Sequence, residues 1–132
     1  MTSVARYAYA ILAWVFLVGL LFQVFLAGLG MFADAQSLRL HGDFGWALHL
    51  APLLIVVAAF AARAGRRHWL WALALAVVVF LVPVFVLLRG SMPAVAALHP
   101  VAAMLAFGIA AMVARNSLLG LRRPSDSSSA AV

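Results

Sequence analysis

The sequence predicts an all-α integral membrane protein, a four-helix up-down bundle with both ends in the cytoplasm. Three observations carry this. Of the 132 residues, 68% are hydrophobic and only 9% charged, against roughly a quarter charged in soluble domains. The apolar residues fall into four long runs, and a span needs about 20 residues to cross the hydrocarbon core. The arginines lie between those runs, where a charge is not stranded in lipid. Four spans and their turns nearly exhaust the chain, so one transmembrane unit over residues 1–115 and a polar cytoplasmic tail over 116–132, largely disordered, are expected.

The first span is read over residues 7–32, YAYAILAWVFLVGLLFQVFLAGLGMF, broken in polarity only by Gln23 and glycines. Ala33-Asp34-Ala35 resembles a signal-cleavage site, but a run of about 26 apolar residues is well beyond the 7–15 of a signal peptide. A polar loop is read over 33–42, with Asp43 as N-cap of a second span over about 44–62. The third span, about 69–88, opens on Trp69 and Trp71, an interfacial aromatic pair. Ser91 or Met92 caps the fourth, about 93–113, with Pro93 near N1, where a missing N–H costs little.

The basic residues set the orientation. Every one is arginine, and the net charge is +6. Arg6, Arg63, Arg66, Arg67, Arg115, Arg122 and Arg123 fall on one side, and Arg39 and Arg89 on the other with Asp34 and Asp43. Seven against two puts the first side in the cytoplasm. A basic balance that flanks spans reads as topology, with no nucleic acid partner implied. The absence of cysteine excludes disulfides, thiolate metal sites and cysteine nucleophiles.

Gln23, His49 and His99 sit inside apolar spans, where polar side chains point to function or to interhelical hydrogen bonds. Counted from the expected helix starts, His49 and His99 each lie about six residues in. At 1.5 Å per residue they match in depth, roughly 9–10 Å below the outer surface. The second and fourth helices of an up-down bundle are diagonal, so the two imidazoles are expected to face each other as axial ligands of a haem iron. Arg39, Arg89 and His41 lie on the outer side, where they would meet haem propionates; His41 is read first as a plain loop histidine, with propionate contact, proton carriage or second-choice ligation as the alternatives. Gln23 is expected nearer mid-membrane, bonded to an imidazole, to a cofactor edge or to another helix. Gly19, Gln23, Ala27 and Gly30 on the first span, and Ala103, Ala106 and Ala110 on the fourth, form small-residue stripes that either leave a slot for a flat ligand or allow close helix packing. Pro52, Pro83 and Pro100 each remove a backbone hydrogen bond within a span.

These same residues carry a resemblance. FQVFLAGLGMFA, a polar loop, GDFGWALHLAPLL and LHPVAAMLAFGIAAMVAR together resemble one half of haem A synthase and related haem-containing four-helix membrane cytochromes. The likeness covers most of residues 16–115 and implies His49 and His99 as the paired haem residues. Trp46-Ala47-Leu48 stands where haem A synthase has an acidic residue, and the chain is half that enzyme's size, so haem A synthesis is not carried over. More closely, the chain resembles small uncharacterised four-helix membrane proteins of actinobacteria, which implies a bacterial plasma membrane.

The leading expectation is thus a membrane haem b protein that exchanges electrons with a quinol or a membrane redox partner. A cofactor-free structural or accessory subunit, within an oligomer or larger complex, is the alternative, and a small transporter or channel a third. No nucleophile, acid–base dyad or phosphate loop is evident.

Overall fold

The computed structural model describes residues 3–121. Its elements are α1 (Ser3–Phe32), α2 (Gln36–Leu48), α3 (Leu50–Ala61), α4 (Arg66–Leu87), a 3-10 turn (Leu88–Gly90), α5 (Pro93–Ala96) and α6 (His99–Leu121). They form four spans long and apolar enough to cross a membrane: Val4–Phe32, Gln36–Ala61, Arg66–Gly90 and Pro93–Leu119. The chain is a multi-pass membrane protein. Large apolar side chains such as Val24, Leu54, Leu87 and Met104 point outward all along the bundle, as expected for helices whose outer face meets lipid tails.

The span order is up-down-up-down. The first span packs against the second and fourth, and the third packs against the same two. The second and fourth are therefore diagonal. α2 rests on α1, while its continuation α3 touches both α1 and α4.

The second span begins at Gln36, eight residues before the expected Phe44. The reason is local. Asp34, not Asp43, caps this helix: its Oδ1 accepts the Ser37 N–H at 3.0 Å, and its Oδ2 accepts the Ser37 hydroxyl at 3.0 Å. The expected polar loop is thereby two turns of helix, and the link from α1 shrinks to residues 33–35. The fourth helix starts as read, with Met92 as N-cap and Pro93 at its first turn.

Two prolines divide the second and fourth spans. Pro52 has no N–H for the Leu48 carbonyl, and Pro100 has none for Ala96. The chain tightens at those points into three-residue bonds, His49 N–H to Trp46 O at 3.2 Å and Leu98 N–H to Val95 O at 3.0 Å. Pro83 is tolerated inside α4. The fourth helix also runs past Arg115 to Leu121, so the expected tail from 116 is helical at its start; from 122 on it lies outside the described residues.

Packing is uneven along the bundle axis. Phe16, Ile55, Leu75 and Val113, one from each span, are fully buried in a cluster with Ala13, Ala59, Ala72, Ala106 and Ala110. All belong to the half of the bundle nearer the arginine-rich end. Small residues let the backbones approach, and dispersion and close packing then hold the spans, because lipid is as apolar as the core. Trp69 joins this packing by stacking on Phe60, ring centres 5.2 Å apart. In the other half, which holds the intramembrane histidines, few side chains are fully buried and many are exposed.

Candidate functional site

Gln23 on α1 and His41 on α2 clasp each other. The Gln23 amide donates to the His41 carbonyl at 2.6 Å, and His41 Nδ1 lies 3.0 Å from the Gln23 carbonyl. Gln23 thus sits level with His41 rather than nearer mid-membrane. Gly45, one turn further along α2, permits the approach: a Cβ there would lie 2.7 Å from Gln23 Nε2. Of the two readings of the first span's small-residue stripe, close helix packing is the one found. A Cβ on Gly19 would meet Leu48 at 2.8 Å, and one on Gly30 would meet Leu38 at 2.5 Å, so these glycines serve helix packing. Ala106 and Ala110 are likewise part of the packed core.

His99, at the start of α6, is tied across to the third span: its Nδ1 lies 3.0 Å from the Val82 carbonyl. The ring brought up to it is His41, with centres 6.3 Å apart and planes inclined at 72°. His49 lies two turns deeper on the same span. Its Nδ1 is 2.6 Å from the Gly45 carbonyl, and its ring packs against Trp46 at 5.2 Å and Phe80 at 5.3 Å.

Depth therefore matches His99 with His41 rather than with the expected His49, because the second helix starts at Gln36, not near Phe44. With the helix beginning at Gln36, His41 stands five residues in and His99 six residues past Pro93, while His49 follows the whole 13-residue length of α2. The hint was present in the sequence: Asp34-Ala35-Gln36-Ser37 is an N-cap pattern.

The hydrogen bonds also fix the proton positions. A carbonyl only accepts, so Nδ1 carries the proton in each neutral imidazole, and the lone pair sits on Nε2. All three histidines share this arrangement. A ring held by Nδ1–H to a backbone carbonyl presents Nε2 in a set orientation, as in metal-bound histidines. Two polar atoms in this half are buried with no hydrogen-bond partner among the described residues, His49 Nε2 and Gln23 Oε1. Such orphans are rare in packed interiors, and an ordered water is a common partner for them.

Arg39 and Arg89 lie outside this cluster. Arg39 lines an outer cleft of about 350 Å³ with Asp43 and Trp46, and Arg89 belongs to the 3-10 turn. Both are exposed, and neither takes part in the bonds that fix the histidines. Among the described residues no three His, Cys, Asp or Glu side chains gather as a metal site.

Residues 23–92, more than half of the chain, match a family of unknown function, DUF6220. The chain belongs to this family. The DUF6220 match begins at Gln23 and includes His41, Gly45, His49 and Val82, while His99 lies beyond it. No curated protein and no solved structure matches the chain.

Proposed function

We propose that this protein is a membrane haem b protein in which His41 and His99 hold the iron from opposite sides, and that it passes electrons between membrane partners such as a quinol and a second redox centre. The observation that carries the reading is the His41–His99 pair, one imidazole from each of two diagonal spans, with ring centres 6.3 Å apart. That separation lies within the ordinary range for an edge-on aromatic pair, beside Phe22–Phe25 at 6.0 Å, and it also suits two imidazoles that share an ion. Two imidazoles bound to one ion at a metal–nitrogen distance of about 2.0 Å put their ring centres roughly 6.3 Å apart. A porphyrin supplies four nitrogens of its own, so two protein ligands suffice without a three-residue metal cluster.

The donor set fits. Both rings are anchored by Nδ1 to backbone carbonyls, which holds the direction of Nε2. The Gln23 clasp keeps α2 against α1, so His41 is held from two sides. A haem held by His41 and His99 would supply one-electron transfer. Arg39 and Arg89, on the same side of the bundle, are the cations available to propionates.

The test is a visible spectrum of detergent-purified protein, oxidised and dithionite-reduced, with haemin added where needed. The expected result is a sharp reduced α band of b type that is lost in His41→Ala and in His99→Ala and kept in His49→Ala. Loss in His49→Ala with retention in His41→Ala would move the axial ligand two turns along the second span. A colourless protein that takes up no haemin overturns the reading and leaves a cofactor-free accessory subunit.

A further inference from the structure

The opposite end of the bundle holds a second feature, independent of the haem reading. All four spans end there around a cleft of about 320 Å³, lined among others by Arg6, Tyr9, Arg63, Arg67, His68 and Ser117. Three arginines and a histidine line one space. The two described carboxylates, Asp34 and Asp43, lie at the other end of the bundle. Concentrated like charge at the edge of a low-dielectric slab is unfavourable unless an anion shares the space.

Two further observations point into the cleft. Tyr9 is 97% buried, being only 3% exposed, yet its hydroxyl has no hydrogen-bond partner among the described residues. A buried O–H without a partner is costly, and this one lines a cationic cleft. The second is the backbone of Arg63. The second span ends in a Schellman turn, with Ala64 N–H bonded to Ala59 O at 3.1 Å and Arg63 N–H to Phe60 O at 2.9 Å. That turn puts Arg63 at φ 48°, the left-handed position normally given to glycine. An arginine kept there gives up the easier backbone at a residue that lines the cleft.

We propose that this cleft binds a phosphate-bearing anion, held by the forks of Arg6, Arg63 and Arg67 with the Tyr9 hydroxyl as a neutral donor. Arginine forks match phosphate oxygens. Basic pockets between helix ends at this level suit the headgroup of an anionic phospholipid, and free phosphate carries the same chemistry.

The experiment is native mass spectrometry of the full chain released from nanodiscs of phosphatidylglycerol mixed with phosphatidylcholine. Thermal unfolding in detergent with inorganic phosphate runs in parallel. The expected result is a retained phosphatidylglycerol adduct, weakened roughly fivefold by Arg67→Gln and by Arg63→Gly, and unchanged by Arg115→Gln, whose side chain is exposed outside the cleft. Arg63→Gly suits the left-handed backbone, so a folding defect does not mask the loss. Tyr9→Phe weakens the adduct without lowering stability in lipid-free detergent, which a purely structural tyrosine would not do. Stabilisation by inorganic phosphate with no lipid preference identifies a soluble anion as the source. Equal retention of both lipids and no phosphate effect, or adducts insensitive to Arg63 and Arg67, overturns the proposal.

Discussion

Replacing Gly45 by alanine tests the contact on which the histidine arrangement rests. A Cβ at Gly45 would lie 2.7 Å from Gln23 Nε2, well inside van der Waals separation. The amide end of a glutamine ordinarily swings aside at little cost. Here it is pinned by the 2.6 Å bond to the His41 carbonyl, so moving it strands a half-buried donor, at a cost of about 1–3 kcal/mol. Alanine also brings a helix-propensity gain of about 0.8–1.0 kcal/mol over glycine. Gly108 on α6 is the internal control, because a Cβ there meets nothing within 4 Å. Gly108→Ala should stabilise by up to about 1 kcal/mol. The propensity gain is common to both, so Gly45→Ala should be the less stable of the two by about 1–3 kcal/mol. Reversible unfolding in mixed micelles, followed by circular dichroism, measures the difference. In a Gln23→Ala background the cost at Gly45 should vanish, which isolates the pair as a coupling energy. Two alanine variants equal to within about 0.5 kcal/mol, or a cost at Gly45 that survives Gln23→Ala, would refute the clasp.

Asp34→Ala should remove the cap of the second span and cost about 1 kcal/mol in the same assay, while Asp43→Ala should cost close to nothing. Ile55→Ala should cost about 2 kcal/mol, less than in a soluble core. Lipid solvates the unfolded side chain equally well, so only the cavity of roughly 75 Å³ counts, at about 24 cal/mol per Å³. Met104→Ala, on the lipid face at 75% exposure, should be near neutral. Because the chain has no cysteine, Ser91→Cys and Arg66→Cys report topology cleanly. An impermeant maleimide should label the first and not the second in intact cells, and the reverse pattern would invert the orientation read from the arginines.

The fold was legible because a bilayer reduces the problem to hydropathy and charge placement. Four apolar runs of sufficient length, with arginines confined to their ends, leave little choice but four spans. The divisions at His49 and near Leu98 were legible too, since Pro52 and Pro100 remove specific backbone bonds. The sequence also marked Gln23, His49 and His99 as polar residues inside the spans, and read His41 as a loop histidine.

Which of them meet was decided only by tertiary structure. Side-chain depth is counted from the first turn of a helix. That turn is set by Asp34 reaching Ser37, a three-residue interaction weaker to the eye than the polar composition of residues 33–43. Starting the helix at Gln36 carries His41, not His49, to the level of His99. The glycines show the same division of information. Gly19, Gly30 and Gly45 press against a neighbouring side chain, whereas Gly28, Gly42 and Gly108 do not, and nothing local separates the two sets. Hydropathy fixes which segments enter the membrane because each segment is solvated by lipid on its own. The meeting of Gln23 with His41, and of His41 with His99, depends on how three different spans rotate and slide against one another, and that is a property of the packed bundle alone.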